Sequence, residues 1–320
     1  MSKTALILGI SGQDGAYLAQ LLLEKGYIVV GTSRDATIQR FGNLERLGIA
    51  DRIVTHSMVL TDFRSVVQTL SAVNPDEIYN LSGQSSVGLS FQQPLETLES
   101  IAVGVINLME AIRFLQLPVR FYNAGSSECF GETSRDGARE DTSFKPRSPY
   151  ATAKATAFWG VANYREAYGL QACTGILFNH ESPLRPNRFV TQKIVAGAVA
   201  IARAGGGELH LGTLTVSRDW GWAPEYVDAM WRMLQQETLQ DYVIATGESY
   251  TLQAFCDAAF AAVGLRSEDH VRTSQKFERP SDIAYSLGNP RLAAERLDWR
   301  PSMRMPQVVE AMVRAEWDAT

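Results

Sequence analysis

Gly9, Gly12 and Gly15 stand three residues apart, directly after the first strand-like run, Thr4–Leu8, and this placement constrains the fold more than any other feature. Glycines there let the chain turn tightly and bring backbone N–H groups close to a diphosphate. The helix that follows adds the positive end of its dipole. A glycine triplet alone serves any tight turn; its position after the first strand is what predicts a dinucleotide site. The next segments keep the same rhythm. Helix-like Ala16–Lys25 is followed by strand-like Tyr27–Thr32 and Arg52–Met58, a helix over Asp62–Val73, and a strand over Glu77–Ser82. A long helical stretch around Leu95–Leu115 precedes a strand at Arg120–Ala124, then come a helix over Pro149–Tyr168 and a strand over Ala172–Phe178. Such βαβ alternation calls for a parallel sheet covered by helices on both faces.

After Phe178 the rhythm breaks. Asn179–Phe189 reads as a loop, Val190–Ala204 as a helix stopped by Gly205-Gly206-Gly207, and Asp241–Thr246 as a strand returning to the sheet. The tail, with Pro280, Pro290, Pro301 and Pro306, reads as short helices and turns. The expected class is therefore α/β: a Rossmann-type doubly wound parallel sheet with a smaller C-terminal substrate-binding lobe. Residues 1–178 and about 216–250 fall to the sheet domain, and about 179–215 and 251–320 to the lobe.

Composition narrows the function. With 30 Lys+Arg against 35 Asp+Glu, the net charge of −5 offers no basic excess for nucleic acid. The longest later apolar run, Ile194–Ala202, lies between Lys193 and Arg203 and is too short to span a bilayer, so no membrane partner is expected. Cys129, Cys173 and Cys256 form no CxxC pair or metal spacing and read as thiols of a reducing compartment. Met1-Ser2-Lys3 leads into only a short apolar run before glycine, the pattern of neither a signal nor a transit peptide, and a cytoplasmic location is expected.

Two further patterns suggest chemistry. At the end of the second strand, Arg34 places a guanidinium where a cofactor's ribose would lie, which favours a 2′-phosphate and NADP. Asp35 beside it works against that reading, and a solvated surface arginine is the plain alternative. Tyr150 and Lys154 share one face of a helix, so an ammonium beside the phenol is expected to lower its pKa and let it take a proton from a sugar hydroxyl. Ser126 and Glu128 follow the strand ending at Ala124, on the carboxyl side of the sheet where ligands sit. A hydrogen bond to the reacting hydroxyl suits Ser126 and a second base suits Glu128; a turn serine and a surface glutamate are the structural alternatives.

The glycine turn, Ser126 and Tyr150/Lys154 together resemble the extended short-chain dehydrogenase/reductase family. Within it the chain is similar to the GDP-mannose 4,6-dehydratases in GISGQDGAYLA (9–19), YNLSGQSSVGLSF (79–91), PRSPYATAK (146–154), NYREAYGL (163–170), GILFNHESPLR (175–185), RDWGWAPEYVDAMW (218–231) and DYVIATGE (241–248). The resemblance implies dehydration of GDP-mannose through bound NADP. Tyr150 would deprotonate the 4-hydroxyl, with Lys154 and Ser126 supporting it, and Glu128 would take the C5 proton. NADP contacts are implied for Gly9, Ser11, Gly12, Gln13, Asp14, Gly15, Arg34, Leu60, Leu81, Tyr150, Lys154, Leu177, His180 and Arg185. Substrate contacts are implied for Ser85, Ser126, Asn179, Lys193, Arg218 and Arg279, the cations suiting a diphosphate. Val59 stands where that family has an Asp on the adenine, and Arg34-Asp35 where it commonly has two arginines. A homotetramer, otherwise a homodimer, is implied, with the Leu95–Leu115 and Pro149–Tyr168 helices pairing across a two-fold axis. A net NADPH-dependent 4-keto reductase, a dehydratase of another GDP-hexose or GDP-heptose, and a non-enzymatic dinucleotide sensor remain the competing readings.

Overall fold

The structure, a computed structural model, describes residues 2–277 and 279–319, with Lys276 described by its backbone alone. Strands β1 (Thr4–Leu8), β2 (Ile28–Ser33), β3 (Val54–Ser57), β4 (Glu77–Asn80), β5 (Arg120–Ala124) and β6 (Ala172–Leu177) lie in one parallel sheet. The chain then leaves it through β7 (Asn179–Glu181), β8 (Leu209–Leu211), β9 (Ser217–Arg218) and β10 (Trp220–Trp222). It returns with β11 (Tyr242–Ile244) and ends beyond β12 (Tyr250–Thr251) and β13 (Val271–Thr273). The seven-stranded order is β11-β6-β5-β4-β1-β2-β3, every pair parallel. This is the Rossmann-type architecture, and the order reverses between β1 and β4, the place where such sheets open a ligand crevice.

Period-two burial explains why both faces need helices. Ala5 and Ile7 of β1 join one core with Ala16, Leu18 and Leu22 of helix α1 (Gln13–Glu24) and with Val227 and Met230 of helix Ala223–Leu234. Leu6 and Leu8 join the opposite core, with Leu70, Leu108 and Val161. A third core holds the lobe, where helices Val190–Ala204, Leu252–Ala261 and Met305–Ala319 meet over Ile194, Phe255, Phe260, Val308 and Met312.

The structure departs from the sequence reading in four places. Asn179–Glu181, read as loop, is the strand β7, paired in parallel with β10 some forty residues away, a partner no local signal announces. The tail is not only short pieces, because Met305–Ala319 is one continuous helix. Pro306 stands in its first turn, where proline's missing N–H costs no hydrogen bond. The stretch around Leu95–Leu115 is divided into Pro94–Leu98 and Gly104–Phe114 by a widened turn at Glu99–Val103. Finally, Ala293, Leu297 and Trp299, allotted to the lobe, pack with the sheet core, where the Trp299 indole meets Tyr226 edge-on at 5.7 Å.

Candidate active site

The glycine turn has the form that its spacing implied. Gly9 adopts φ +80°, and a side chain there would meet the Leu81 carbonyl at 2.8 Å. A side chain on Gly15 would come within 2.4 Å of the Gly9 carbonyl. Helix α1 opens at Gln13 with Gly12 as its N-cap and no side-chain cap, so its first N–H groups are not taken by a capping oxygen. Asn43 holds the turn from below, donating to the Ser11 carbonyl at 3.0 Å. Only glycine fits at positions 9 and 15, and the turn offers unspent donors to a diphosphate: the residues present suit a dinucleotide.

The side chains of that first helical turn are engaged with the protein. Gln13 donates to the His180 carbonyl and accepts from the Ser182 hydroxyl at 2.7 Å. Asp14 meets His180 Nε2 at 2.9 Å, while His180 Nδ1 faces the Phe178 carbonyl at 2.8 Å. A carbonyl on one ring nitrogen and a carboxylate on the other both require a donor, so the imidazole is held protonated. Its pKa lies above the usual 6.5: burial lowers it, but the Asp14 charge and hydrogen bond outweigh that. Asp14 moves the other way, to about 2, because its His180 contacts overcome the cost of burial. These two residues, expected as cofactor contacts, are thus partners of one another and clamp the glycine turn to β7.

Arg34 is exposed just past β2. The Asp35 carboxylate, which weighed against NADP, accepts from the N–H groups of Thr37 and Ile38 at 3.0 and 3.3 Å. It closes its own turn and leaves Arg34 as the charge beside the strand end. Leu60 packs near Gly104, and its carbonyl accepts from Asn107. Val59 is 38% exposed.

A cleft of about 930 Å³ opens at the carboxyl ends of the strands, between sheet and lobe. Ser126, Glu128, Tyr150 and Lys154 all line it, together with Leu81 and Leu177. Ser126 caps the turn Ser127–Phe130, its Oγ accepting from Glu128 N–H at 3.3 Å. Tyr150 rides on the first turn of its helix, which Ser148 caps through Ala151 N–H. One turn on, Lys154 Nζ donates to the Ala124 carbonyl at 2.7 Å and lies 5.9 Å from the Tyr150 ring centre.

The charges differ from expectation in one respect. The ammonium does not bring the Tyr150 phenol below its ordinary value. Burial raises it well above, the Ser126 hydroxyl opposing only in part. The reason is visible in the geometry: Lys154 is committed to a backbone carbonyl and is itself desolvated, its pKa falling to about 8. Glu128 is pushed up by burial, against the pull of Arg218 and Arg279.

The expected substrate residues converge on the other side. Arg218, buried, donates to the Ile283 carbonyl at 2.6 Å and to Asp282 at 2.8 Å; Arg279 lies 3.6 Å from the same carboxylate. Lys193 donates to the His210 carbonyl at 2.6 Å over the Phe277 ring. Asn179 and Ser85 line the cleft, and Arg185 lies 3.1 Å from Glu181. Asp282 and Arg188 were not singled out from sequence. Asp282 and Arg188 gain their place through partners far away in the chain.

A family model described as GDP-mannose 4,6 dehydratase matches residues 6–312. GDP-mannose 4,6 dehydratase 1 of Arabidopsis thaliana is 43% identical over 97% of this chain and 89% of its own length. The GDP-mannose 4,6-dehydratase of Sinorhizobium fredii is 41% identical, covering 98% of this chain and 96% of its own. Among solved structures, the UDP-glucose 4-epimerase of Thermus thermophilus, in complex with NAD, is alike at TM-score 0.86 and 23% identity, covering 99% of this chain and all of that one. At that identity the likeness is one of fold.

Proposed function

The chain belongs to the family of GDP-mannose 4,6-dehydratases, and from that membership we propose how its residues divide the work. It is an NADP-dependent nucleotide-sugar dehydratase that converts GDP-mannose to GDP-4-keto-6-deoxymannose. When bound, NADP supplies the oxidation at C4 and the matching reduction at C6, so nothing is consumed but substrate. The backbone of Gly9–Gly15 holds its diphosphate and Arg34 its 2′-phosphate.

Tyr150 takes the proton of the 4-hydroxyl, and Ser126 donates a hydrogen bond to the same oxygen. For this the phenol must first lose its own proton, against the burial that raises its pKa, and Lys154, one helical turn away, is the cation assigned to support the phenolate. Once C4 is a ketone the C5 proton is acidic, and Glu128 removes it as water leaves from C6. The observation that carries this division is Glu128 itself: a half-buried carboxyl, its pKa raised by desolvation, in the same cleft as Tyr150 and Lys154. A plain reductase has no work for such a base. Arg218 and Arg279 exchange Asp282 for the diphosphate of the nucleotide, and Asn179 and Lys193 flank it.

The test is to incubate the pure protein with GDP-mannose and no added cofactor and weigh the product. Loss of one water without NADPH consumption is expected; a product formed only with added NADPH defeats the reading. In Glu128→Gln, dehydration should slow roughly 10²–10⁴-fold, the usual worth of a positioned base. Deuterium uptake at C5 from heavy water should fall with it.

The oligomer is part of the same proposal. Leu95, Phe114, Trp159 and Tyr168 are 74%, 65%, 62% and 54% exposed on the helices that flank β5. We propose that these exposed apolar side chains are covered by a second copy, with a tetramer as the favoured assembly. No helix of the described residues is long and apolar enough to cross a membrane. With all three cysteines free and buried, we place the protein in the cytoplasm.

A further inference from the structure

We infer that Arg188 binds the hexose of the nucleotide sugar, acting with Ser85 across the reacting end of the cleft. The inference rests on the dehydratase reading of the same cleft. Most of the cations there are spent on charged or carbonyl oxygens. Lys154 is on Ala124, Arg218 and Arg279 share Asp282, Arg185 faces Glu181, and Lys193 is on His210. Arg188 differs. Its guanidinium donates at 3.1 Å to a neutral oxygen, the Ser85 hydroxyl, and among the described residues no carboxylate lies within ion-pair distance of it. A guanidinium carries five N–H donors, so a single bond to a hydroxyl leaves most of them for a ligand.

Its position decides which part of the ligand. Ser85 lies on the loop after β4, and β4 is hydrogen-bonded to β5, with Asn80 opposite Asn123. Just beyond β5 come Ser126 and Glu128, which line the same cleft as Ser85 and Arg188, so the Arg188–Ser85 bond is placed beside the neighbouring strand end that carries the chemistry. Lys193, Leu211 and Phe277 line the lobe side.

Both ends of the bond are anchored. Gly83, at φ +105°, would clash with Ile101 if it carried a side chain, and Gln84 N–H donates to Ser100 Oγ at 3.3 Å, which fixes the Ser85 loop on the widened turn. On the other side, Phe189 N–H donates to the Pro186 carbonyl at 3.0 Å, immediately before the helix starting at Val190. Little freedom is therefore lost when a sugar replaces the Ser85 bond. Adjacent hydroxyls on a pyranose match a forked donor, and Ser85, able to donate and accept, completes the pair.

The experiment measures two constants in each variant: kcat/KM for GDP-mannose and the inhibition constant of GDP, which lacks the hexose. Arg188→Ala should lower kcat/KM for GDP-mannose roughly ten- to a hundredfold while leaving GDP affinity within about twofold. Arg188→Lys should recover part of the loss, because the charge returns without the fork. Arg188 is exposed, so an unchanged thermal midpoint is expected to accompany the effect. If GDP weakens by the same factor, Arg188 holds the diphosphate and the inference falls. If neither constant moves, its bond to Ser85 is structural, and the inference falls again. Should the wild-type protein bind GDP yet form no dehydrated product, the failure lies with the function and not with Arg188.

Discussion

Asp14 and His180 show how much of a residue's role depends on its partner. Asp14 titrates below its ordinary 3.8, so the stability it lends is present above that value and is lost as pH falls toward about 2. His180 titrates above 6.5, so its contribution is full below that value and is lost as pH rises through its folded pKa. The pair should therefore stabilise most between about 3.8 and 6.5. Asp14→Asn should flatten both flanks of the profile and cost on the order of 1–2 kcal/mol inside that window. Thermal midpoints across pH for the two proteins check it; parallel curves would show that the pair is not linked to folding. At the same scale, the spacing of Tyr150 and Lys154 was readable in the sequence, but their protonation was not. Adjacency alone suggested a lowered phenol, whereas burial decides the opposite.

The first βαβ unit holds the proposed cofactor cradle, and its tolerance to change is set by contacts between elements. A Gly15→Ala side chain would lie 2.4 Å from the Gly9 carbonyl and 2.6 Å from Ile10 Cα, both backbone atoms. The turn and α1 must then separate, at a cost of about 1–3 kcal/mol, and the purified variant should have lost its NADP. Gly42→Ala, in a short helix with nothing within 4 Å of the new methyl, is the control and should be neutral or stabilising by up to about 1 kcal/mol. Nucleotide released on denaturation and thermal midpoints measure both; a Gly15→Ala protein that keeps its NADP would show the cradle to be less tight than drawn.

For the whole molecule, the consequential surface is that of the helices carrying the exposed Leu95, Phe114, Trp159 and Tyr168. If a second copy covers it, Trp159→Glu buries a charge without a partner, which an interface does not tolerate. Sedimentation at micromolar concentration should give at least a dimer for the wild type and a shift toward monomer for the variant. A wild-type mass equal to one chain would remove the proposed assembly. Trp159 also contacts Phe144 and Phe158 in its own chain, so circular dichroism must confirm that the variant is folded.

Strands β1 and β5 lie where the sequence placed them, as do helices Pro149–Tyr168 and Val190–Ala204. Their signals are local: apolar period, a capping serine, a terminal glycine at positive φ. The glycine turn was legible for the same reason, since a backbone requirement is written in the residue that meets it. Ser126, Glu128, Tyr150 and Lys154 could be named from sequence, and the chain's return along β11 was foreseen. Tertiary structure alone decided the rest. β7 exists because β10 is beside it, and Trp299 joins the sheet core because Tyr226 is there. Asp35 closes its own turn on the Thr37 and Ile38 N–H groups, while Arg188 reaches Ser85 across 103 residues. A partner far away in the chain leaves no periodicity to read, and the charge state of a buried group depends on that partner and on the water its folding excludes.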